Sequence, residues 1–121
     1  AKAAGGRGMP LRVSGAFHSP LMASAAEAMA TELAAIDLAP AREPVVQNVT
    51  AAPTTDPDQL RAGLAQQVTG SVRWTQSVQA MVAAGVTTLV ECGPGAVLTG
   101  LLKRIDASIT GINVNNLDSA V

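Results

Sequence analysis

Aromatic side chains are nearly absent from this 121-residue chain, which contains one phenylalanine, one tryptophan and no tyrosine. Because 48% of its residues are nevertheless hydrophobic, Ala, Val, Leu, Ile and Met must form most of its core. Trp74 is expected to pack there with its indole N–H bonded to a partner. Only 14% of the residues are charged, so the composition excludes a disordered chain, and the length fits one globular domain.

Cysteine, net charge and long apolar segments are scarce as well. The single cysteine, Cys92, excludes an internal disulfide and metal sites made of several thiolates, which fits a reducing cytosol. The net charge is -1 and basic residues form no cluster that would bind nucleic acid. No apolar run reaches the roughly 18 to 20 residues that cross a bilayer, and no signal peptide is visible. We therefore expect a cytoplasmic protein without a nucleic-acid or membrane partner and without a metal.

Apolar residues recur at helical spacing in four segments and at strand spacing in the segments between them. Strands are predicted at LRVSG (11–15), VVQNV (45–49), VTTLVEC (86–92) and ITGINVN (109–115), and helices from Pro20 to Ile36, over 57–68, over 72–84 and at AVLTGLLKRI (96–105). The expected caps are Ser19 and either Thr55 or Asp56, Gly85 is the expected helix stop, and TAAPTTDPDQ (50–59) is a predicted loop. Strands that alternate with helices predict the α/β class, here part of a mostly parallel sheet flanked by helices.

The GPG sequence at 93–95 stands between a predicted strand and a predicted helix, where phosphate-binding loops occur. It lacks the third glycine of G-x-G-x-x-G and the G-K-[ST] of the P-loop. We therefore expect a tight turn there and no nucleotide cofactor.

The only histidine, His18 in VSGAFHSPLM, lies between a predicted strand and a predicted helix. Functional groups of α/β proteins gather at such junctions, and a neutral imidazole there can take a proton from a nucleophile and return it. The alternative is a surface or helix-capping histidine without a catalytic role.

A nucleophile for such a base is not evident in the sequence. The G-x-S-x-G pentapeptide of hydrolase-like enzymes is absent. Ser14 and Ser19 are near His18 in sequence, but Ser19 is better explained as a cap, and an isolated cysteine such as Cys92 is most often a small buried hydrophobe. We therefore expect the nucleophile to lie outside these residues.

Four segments in this order and spacing carry a family resemblance: MPLRVSGAFHSPLM, PVVQNV, QQVTGSVRW and VECGPGAVLTGLLKRI. Over residues 1 to 106 the chain resembles the C-terminal part of malonyl-CoA:acyl-carrier-protein transacylases. In that family a serine in a GHS-type elbow attacks the thioester, a histidine is its base and an arginine pairs with the malonyl carboxylate. The resemblance implies a hydrolase-like α/β fold and transfer of malonyl from coenzyme A to acyl carrier protein in fatty acid synthesis.

Three residues match positions with roles in that family. His18 matches the catalytic histidine, and Gln67 matches the glutamine whose main-chain carbonyl orients the imidazole. Phe17 matches the aromatic residue of the HAFH pattern of malonyl-selective domains, where a ring would crowd the branch of methylmalonyl. Gly15 departs from the first histidine of that pattern.

The resemblance also implies that the enzyme is incomplete in these residues. The elbow serine, the arginine and the glutamine of the oxyanion hole belong to earlier sequence in the family, so the missing N-terminal part is an expected partner alongside malonyl-CoA and acyl carrier protein. Residues 1–9 correspond to the end of a small ferredoxin-like subdomain, and residues 10–121 to the C-terminal part of the large subdomain. Two alternatives remain open: a non-enzymatic α/β binding or subunit-interaction module, and a serine hydrolase that uses the same base.

Overall fold

A computed structural model of the chain describes residues 14–115, together with Ala3 and Gly5. Most of the predicted strand at 11–15 and most of residues 1–9 lie outside the described residues. The elements in chain order are a 3-10 turn Pro20–Met22, α1 Ala23–Ala34, β1 Val45–Val46, β2 Pro53–Thr54, α2 Pro57–Gln66, α3 Trp74–Ala83, β3 Thr88–Cys92, α4 Val97–Ile105 and β4 Thr110–Val114.

Three of the predicted helix boundaries lie at residues whose chemistry explains them. The Ser19 hydroxyl accepts the Leu21 N–H at 3.3 Å and opens the 3-10 turn that leads into α1. The Asp56 carboxylate accepts the Gln59 N–H at 2.8 Å and opens α2. After α3 the chain turns at Gly85, whose φ of 91° places it in the left-handed region that glycine enters without strain. The predictions for Ser19, Asp56 and Gly85 are therefore confirmed.

The strands form two separate pairs. β3 and β4 are parallel, with Thr88 opposite Thr110 and Cys92 opposite Val114, and α4 connects them. β1 and β2 are antiparallel, so the expectation of a mostly parallel sheet holds for β3 and β4 only. The strand predicted at 45–49 stops at Val46, because the chain reverses and the Ala51 N–H bonds to the Gln47 carbonyl at 2.9 Å. β2 lies inside the segment predicted to be a loop. The architecture is that of a partial α/β domain.

The core lies between α3, α4 and the inner face of β3. Val78 is fully buried and packs with Leu102 and Ile109, and Leu89 of β3 lies against this cluster. The apolar sequence VTTLVEC is typical of a buried strand, but Val90, the next residue of β3, is 53% exposed. The apolar run is continuous in sequence, but among the described residues the packed core meets only the face that carries Leu89.

Trp74 also packs against this core, but its indole N–H has no acceptor among the described residues although the nitrogen is buried. The expected hydrogen bond is therefore not formed. Trp74 borders a cavity of about 600 Å³ whose wall is largely apolar and includes Val46, Met81 and Leu89.

The side chain of Glu91 in β3 caps the N-terminus of α4. The helix is preceded by Ala96, which has no side chain to cap it, and the Glu91 carboxylate accepts the N–H groups of Leu98 at 3.1 Å and Thr99 at 2.9 Å. The Thr99 hydroxyl donates to the same carboxylate at 2.6 Å, and these bonds, the Thr99 hydroxyl first, lower the pKa of Glu91 below its ordinary value. These helix N–H groups are thus satisfied from within the chain, in agreement with a structural turn at GPG.

The GPG turn itself depends on its glycines, since Gly93 has a φ of 131° and Gly95 a φ of 91°. Among the described residues no helix is long and apolar enough to cross a membrane.

Candidate active site

His18 occupies an unusual backbone conformation at the start of the 3-10 turn. Its φ is 61°, in the left-handed region that residues other than glycine rarely adopt. Two hydrogen bonds hold it there: the His18 N–H donates to the Val68 carbonyl at 3.1 Å, and the neighbouring Ser19 hydroxyl donates to the Ala16 carbonyl at 2.7 Å. The backbone of His18 is therefore fixed against the end of α2, which lies far from it in sequence.

The imidazole is held by the same turn at the end of α2. Its Nδ1 lies 2.7 Å from the main-chain oxygen of Gln67. A carbonyl oxygen only accepts hydrogen bonds, so in the neutral ring Nδ1 carries the proton and Nε2 carries the free lone pair. The side chain is exposed. The structure thus brings His18 and Gln67 together as the resemblance implies, with the basic nitrogen left for an incoming group.

Gln67 is itself positioned by Asn48. Gln67 follows the last residue of α2 as its C-cap, and its N–H bonds to the Gly63 carbonyl at 3.0 Å. Its side-chain Oε1 accepts the Asn48 Nδ2–H at 3.0 Å. The Asn48 carbonyl accepts the Arg73 N–H at 2.8 Å, just before α3. Asn48 is not among the site residues predicted from the sequence. The only available signal was an amide side chain near the carboxyl end of the predicted strand VVQNV.

An open groove of about 480 Å³ surrounds the imidazole. Its lining residues are Phe17, His18, Met22, Met29, Asn48, Gln67 and Val68. Met22 belongs to the 3-10 turn and Met29 to α1, whereas Gln67 and Val68 follow α2. No lysine or arginine is among these lining residues, so His18 is the single ionisable group among them.

Phe17 lies at this groove and is 60% exposed. Its ring packs over Gly15, where a Cβ would stand only 2.9 Å from the ring carbon Cε2. The departure from the HAFH pattern at Gly15 therefore has a steric consequence: the missing side chain leaves room for the ring. The role of Phe17 in substrate selection stays a prediction.

The side chains considered as nucleophiles do not line the groove. The Ser19 hydroxyl is engaged with the Ala16 carbonyl and the Leu21 N–H, as expected of a cap. Cys92 is exposed at the end of β3, although an isolated cysteine is most often buried. Within the described residues, no three His, Cys, Asp or Glu side chains are grouped as ligands for a metal ion.

The sequence is similar to proteins named malonyl CoA-acyl carrier protein transacylase. It is 44% identical to the one from Synechocystis sp. over 112 residues, which are 93% of this chain and 38% of that protein. It is 46% identical to the one from Escherichia coli over 115 residues, which are 94% of this chain and 37% of that protein. A scan against protein-family models finds no match.

The fold is similar to solved structures of proteins with the same activity in their names. The crystal structure of the Synechocystis malonyl-CoA:ACP transacylase matches with a TM-score of 0.86 at 43% identity, over 93% of this chain and 39% of that one. A malonyl-transacylase in complex with a type II PKS acyl-carrier protein matches with a TM-score of 0.88 at 40% identity, over 98% and 38%. The chain therefore spans less than two fifths of the length of each of these relatives.

Proposed function

We propose a function for the full-length protein on the premise that this chain belongs to the malonyl CoA-acyl carrier protein transacylase family. The chain spans less than two fifths of the length of the relatives it matches. Its full-length protein transfers a malonyl group from coenzyme A to acyl carrier protein in fatty acid synthesis, in the cytoplasm. His18 is the general base of that reaction. The observation that supports this most is the hydrogen bond from Nδ1 to the Gln67 carbonyl, which leaves Nε2 free in an open groove.

In the first half of the reaction, Nε2 of His18 takes the proton of a serine hydroxyl supplied by the rest of the protein. The serine oxygen bonds to the malonyl carbonyl carbon, the carbon–sulfur bond of the thioester breaks, and the imidazolium returns the proton to the leaving thiolate. In the second half, Nε2 takes the proton of the pantetheine thiol of acyl carrier protein. The sulfur bonds to the malonyl carbonyl carbon, the carbon–oxygen bond of the ester breaks, and the imidazolium returns the proton to the serine oxygen.

The Gln67 carbonyl has the role that a carboxylate has in a Ser-His-Asp triad. It keeps the ring in the tautomer with the proton on Nδ1 and, through its dipole, stabilises the imidazolium that forms in each half-reaction. Because it carries no full charge, it does so without placing an anion beside an anionic substrate.

Recognition of the malonyl carboxylate falls to the rest of the protein. Since none of the described residues that line the groove is a lysine or arginine, the cation that pairs with the carboxylate comes from outside them. Phe17 favours malonyl over substrates with a branch at the α-carbon, because its ring narrows the groove beside His18. Residues 1–9 complete the small ferredoxin-like subdomain, and residues 10–121 belong to the large one.

The test is His18→Asn in the full-length protein, with formation of malonyl-acyl carrier protein followed by mass spectrometry. Asparagine tolerates the left-handed backbone, so the variant should fold as the wild type does. Loss of the base should lower turnover by about 10² to 10⁴. Turnover equal to that of the wild type would exclude His18 as the base, and absence of transfer in the wild type would favour a non-enzymatic module.

A further inference from the structure

The turn that follows α2 holds His18 at two points: the Gln67 carbonyl accepts a hydrogen bond from the imidazole, and the Val68 carbonyl accepts one from the backbone N–H. Carbonyls at the end of a helix have no partner within it, so they are free to accept hydrogen bonds from elsewhere. The same position makes them prone to fraying, because fewer bonds hold the last turn. A base oriented by such a carbonyl therefore needs something that fixes the helix end.

We propose that Asn48 is a positioning residue for the general base, which it serves by fixing Gln67; this inference rests on the proposed function. The side-chain amide of Asn48 donates to Gln67 Oε1 at 3.0 Å in a partly buried contact. The hydrogen bond restrains the residue whose main-chain oxygen lies 2.7 Å from His18 Nδ1. Asn48 acts through Gln67 and not on the ring.

Asn48 is suited to this role because its own backbone is anchored. Its carbonyl accepts the Arg73 N–H at 2.8 Å, so the residue is tied to the chain just before α3 while its side chain reaches the end of α2. The segment that follows β1 thus meets the end of α2 through the Asn48 side chain and the start of α3 through the Asn48 carbonyl. Displacement of the helix end by a fraction of an ångström would change the direction in which Nε2 points.

Asn48 also lines the groove, so a direct contact with substrate is the competing explanation. The two explanations differ in what they change. A residue that touches substrate changes KM, whereas one that orients the base changes kcat. They also differ in their coupling to Gln67, because two groups that act as one unit do not contribute additively.

The experiment is a double-mutant cycle in the full-length enzyme with Asn48→Ala, Gln67→Ala and the double variant. Gln67→Ala keeps the main-chain carbonyl but removes the acceptor of the Asn48 amide. Each single variant should lower kcat by roughly tenfold, within the losses that misplaced catalytic geometry produces, with KM for malonyl-CoA unchanged. The double variant should be no slower than the slower single variant. Additive losses, or a raised KM in Asn48→Ala, would refute the inference.

Gln47→Ala is the matched control. Gln47 lies beside Asn48, and its Nε2–H donates to the Leu60 carbonyl of α2 at 3.1 Å, also in a partly buried contact. Its removal loosens the same loop without touching Gln67, so thermal stability should fall while kcat stays unchanged. An equal loss of kcat in Gln47→Ala would show that Asn48 has only a structural role in this loop.

The outcome for His18 separates the two proposals. If His18→Asn retains full turnover, the proposed function is wrong. If His18→Asn is impaired while Asn48→Ala keeps the wild-type kcat, only the inference about Asn48 is wrong. Should Asn48→Ala fail to fold, Gln67→Ala removes the same hydrogen bond from the other side and carries the same expectation for kcat.

Discussion

Gly111 allows α4 to lie close against β4, and adding a single methyl group there should destabilise the protein. A Cβ on Gly111 would stand 2.7 Å from Thr99 Cγ2 and 2.9 Å from Leu102 Cδ1, where ordinary contact begins near 3.4 Å. Leu102 is only 3% exposed and belongs to the buried cluster, so it has little room to move aside. Gly111→Ala must therefore shift α4 or force side chains off their rotamers.

Overpacking of this kind destabilises by about 1 to 3 kcal/mol. For a protein of more than about 150 residues, such a loss lowers the midpoint of thermal unfolding by several degrees. Urea unfolding of the full-length protein would measure the free energy directly. Gly100→Ala on the same helix is the control, since nothing lies within 4 Å of its added Cβ. Alanine at that helix position should raise the stability by about 0.5 to 1 kcal/mol.

A second substitution tests the steric cause. Thr99→Ser removes the Cγ2 methyl that the new Cβ would meet, yet keeps the hydroxyl that donates to Glu91. The double variant Gly111→Ala with Thr99→Ser should therefore lose less stability than the two single losses together. A Gly111→Ala variant as stable as the wild type, or strict additivity in the double variant, would refute the steric argument.

Two further predictions concern charged side chains outside the groove. Arg61→Met should lower the free energy of unfolding by about 2 kcal/mol, because the guanidinium donates to the Leu33 and Ile36 carbonyls at the end of α1. Asp58, which forms an ion pair with Arg61, is 91% exposed. Asp58→Asn should therefore change the free energy of unfolding by less than about 0.5 kcal/mol in the same urea titration. Glu91→Gln should be less stable than the wild type at neutral pH, and the difference in free energy of unfolding should narrow as the pH falls below 4.5. Hydrogen bonds from Thr99 lower the pKa of Glu91 in the folded state. The stability that the carboxylate contributes is therefore present above its ordinary pKa and is lost as the carboxylate is protonated. Urea unfolding at several pH values checks this, and a constant difference would contradict it.

The helices could be predicted because their boundaries are encoded locally. Asp56 before Pro57 and Gly85 after α3 fix the ends by hydrogen bonding and by backbone conformation within a few residues. The strands could be predicted less well, since pairing joins residues far apart in sequence. VVQNV has the composition of a longer strand, but Asn48 turns away to bond with Gln67 and Arg73, and only Val45 and Val46 remain paired.

The candidate site, too, could be predicted from the sequence only in part. His18 could be singled out because it is the only histidine and stands at a junction of elements. Its contact with Gln67 spans 49 positions, and only the family resemblance indicated it. The link from Asn48 to Gln67 spans 19 positions and depends on where α2 ends. Side chains that meet through tertiary structure leave no periodic pattern in the sequence.

The left-handed backbone at His18 limits how stable this part of the molecule can be. A conformation of that kind costs on the order of 1 to 3 kcal/mol for a side chain of this size. Glycine or asparagine would suit the backbone better, so a sequence selected only for a durable fold would not place an imidazole at this position. In the proposed function, catalysis and thermal stability therefore compete at His18, and a more heat-tolerant variant would have to gain its stability at other positions.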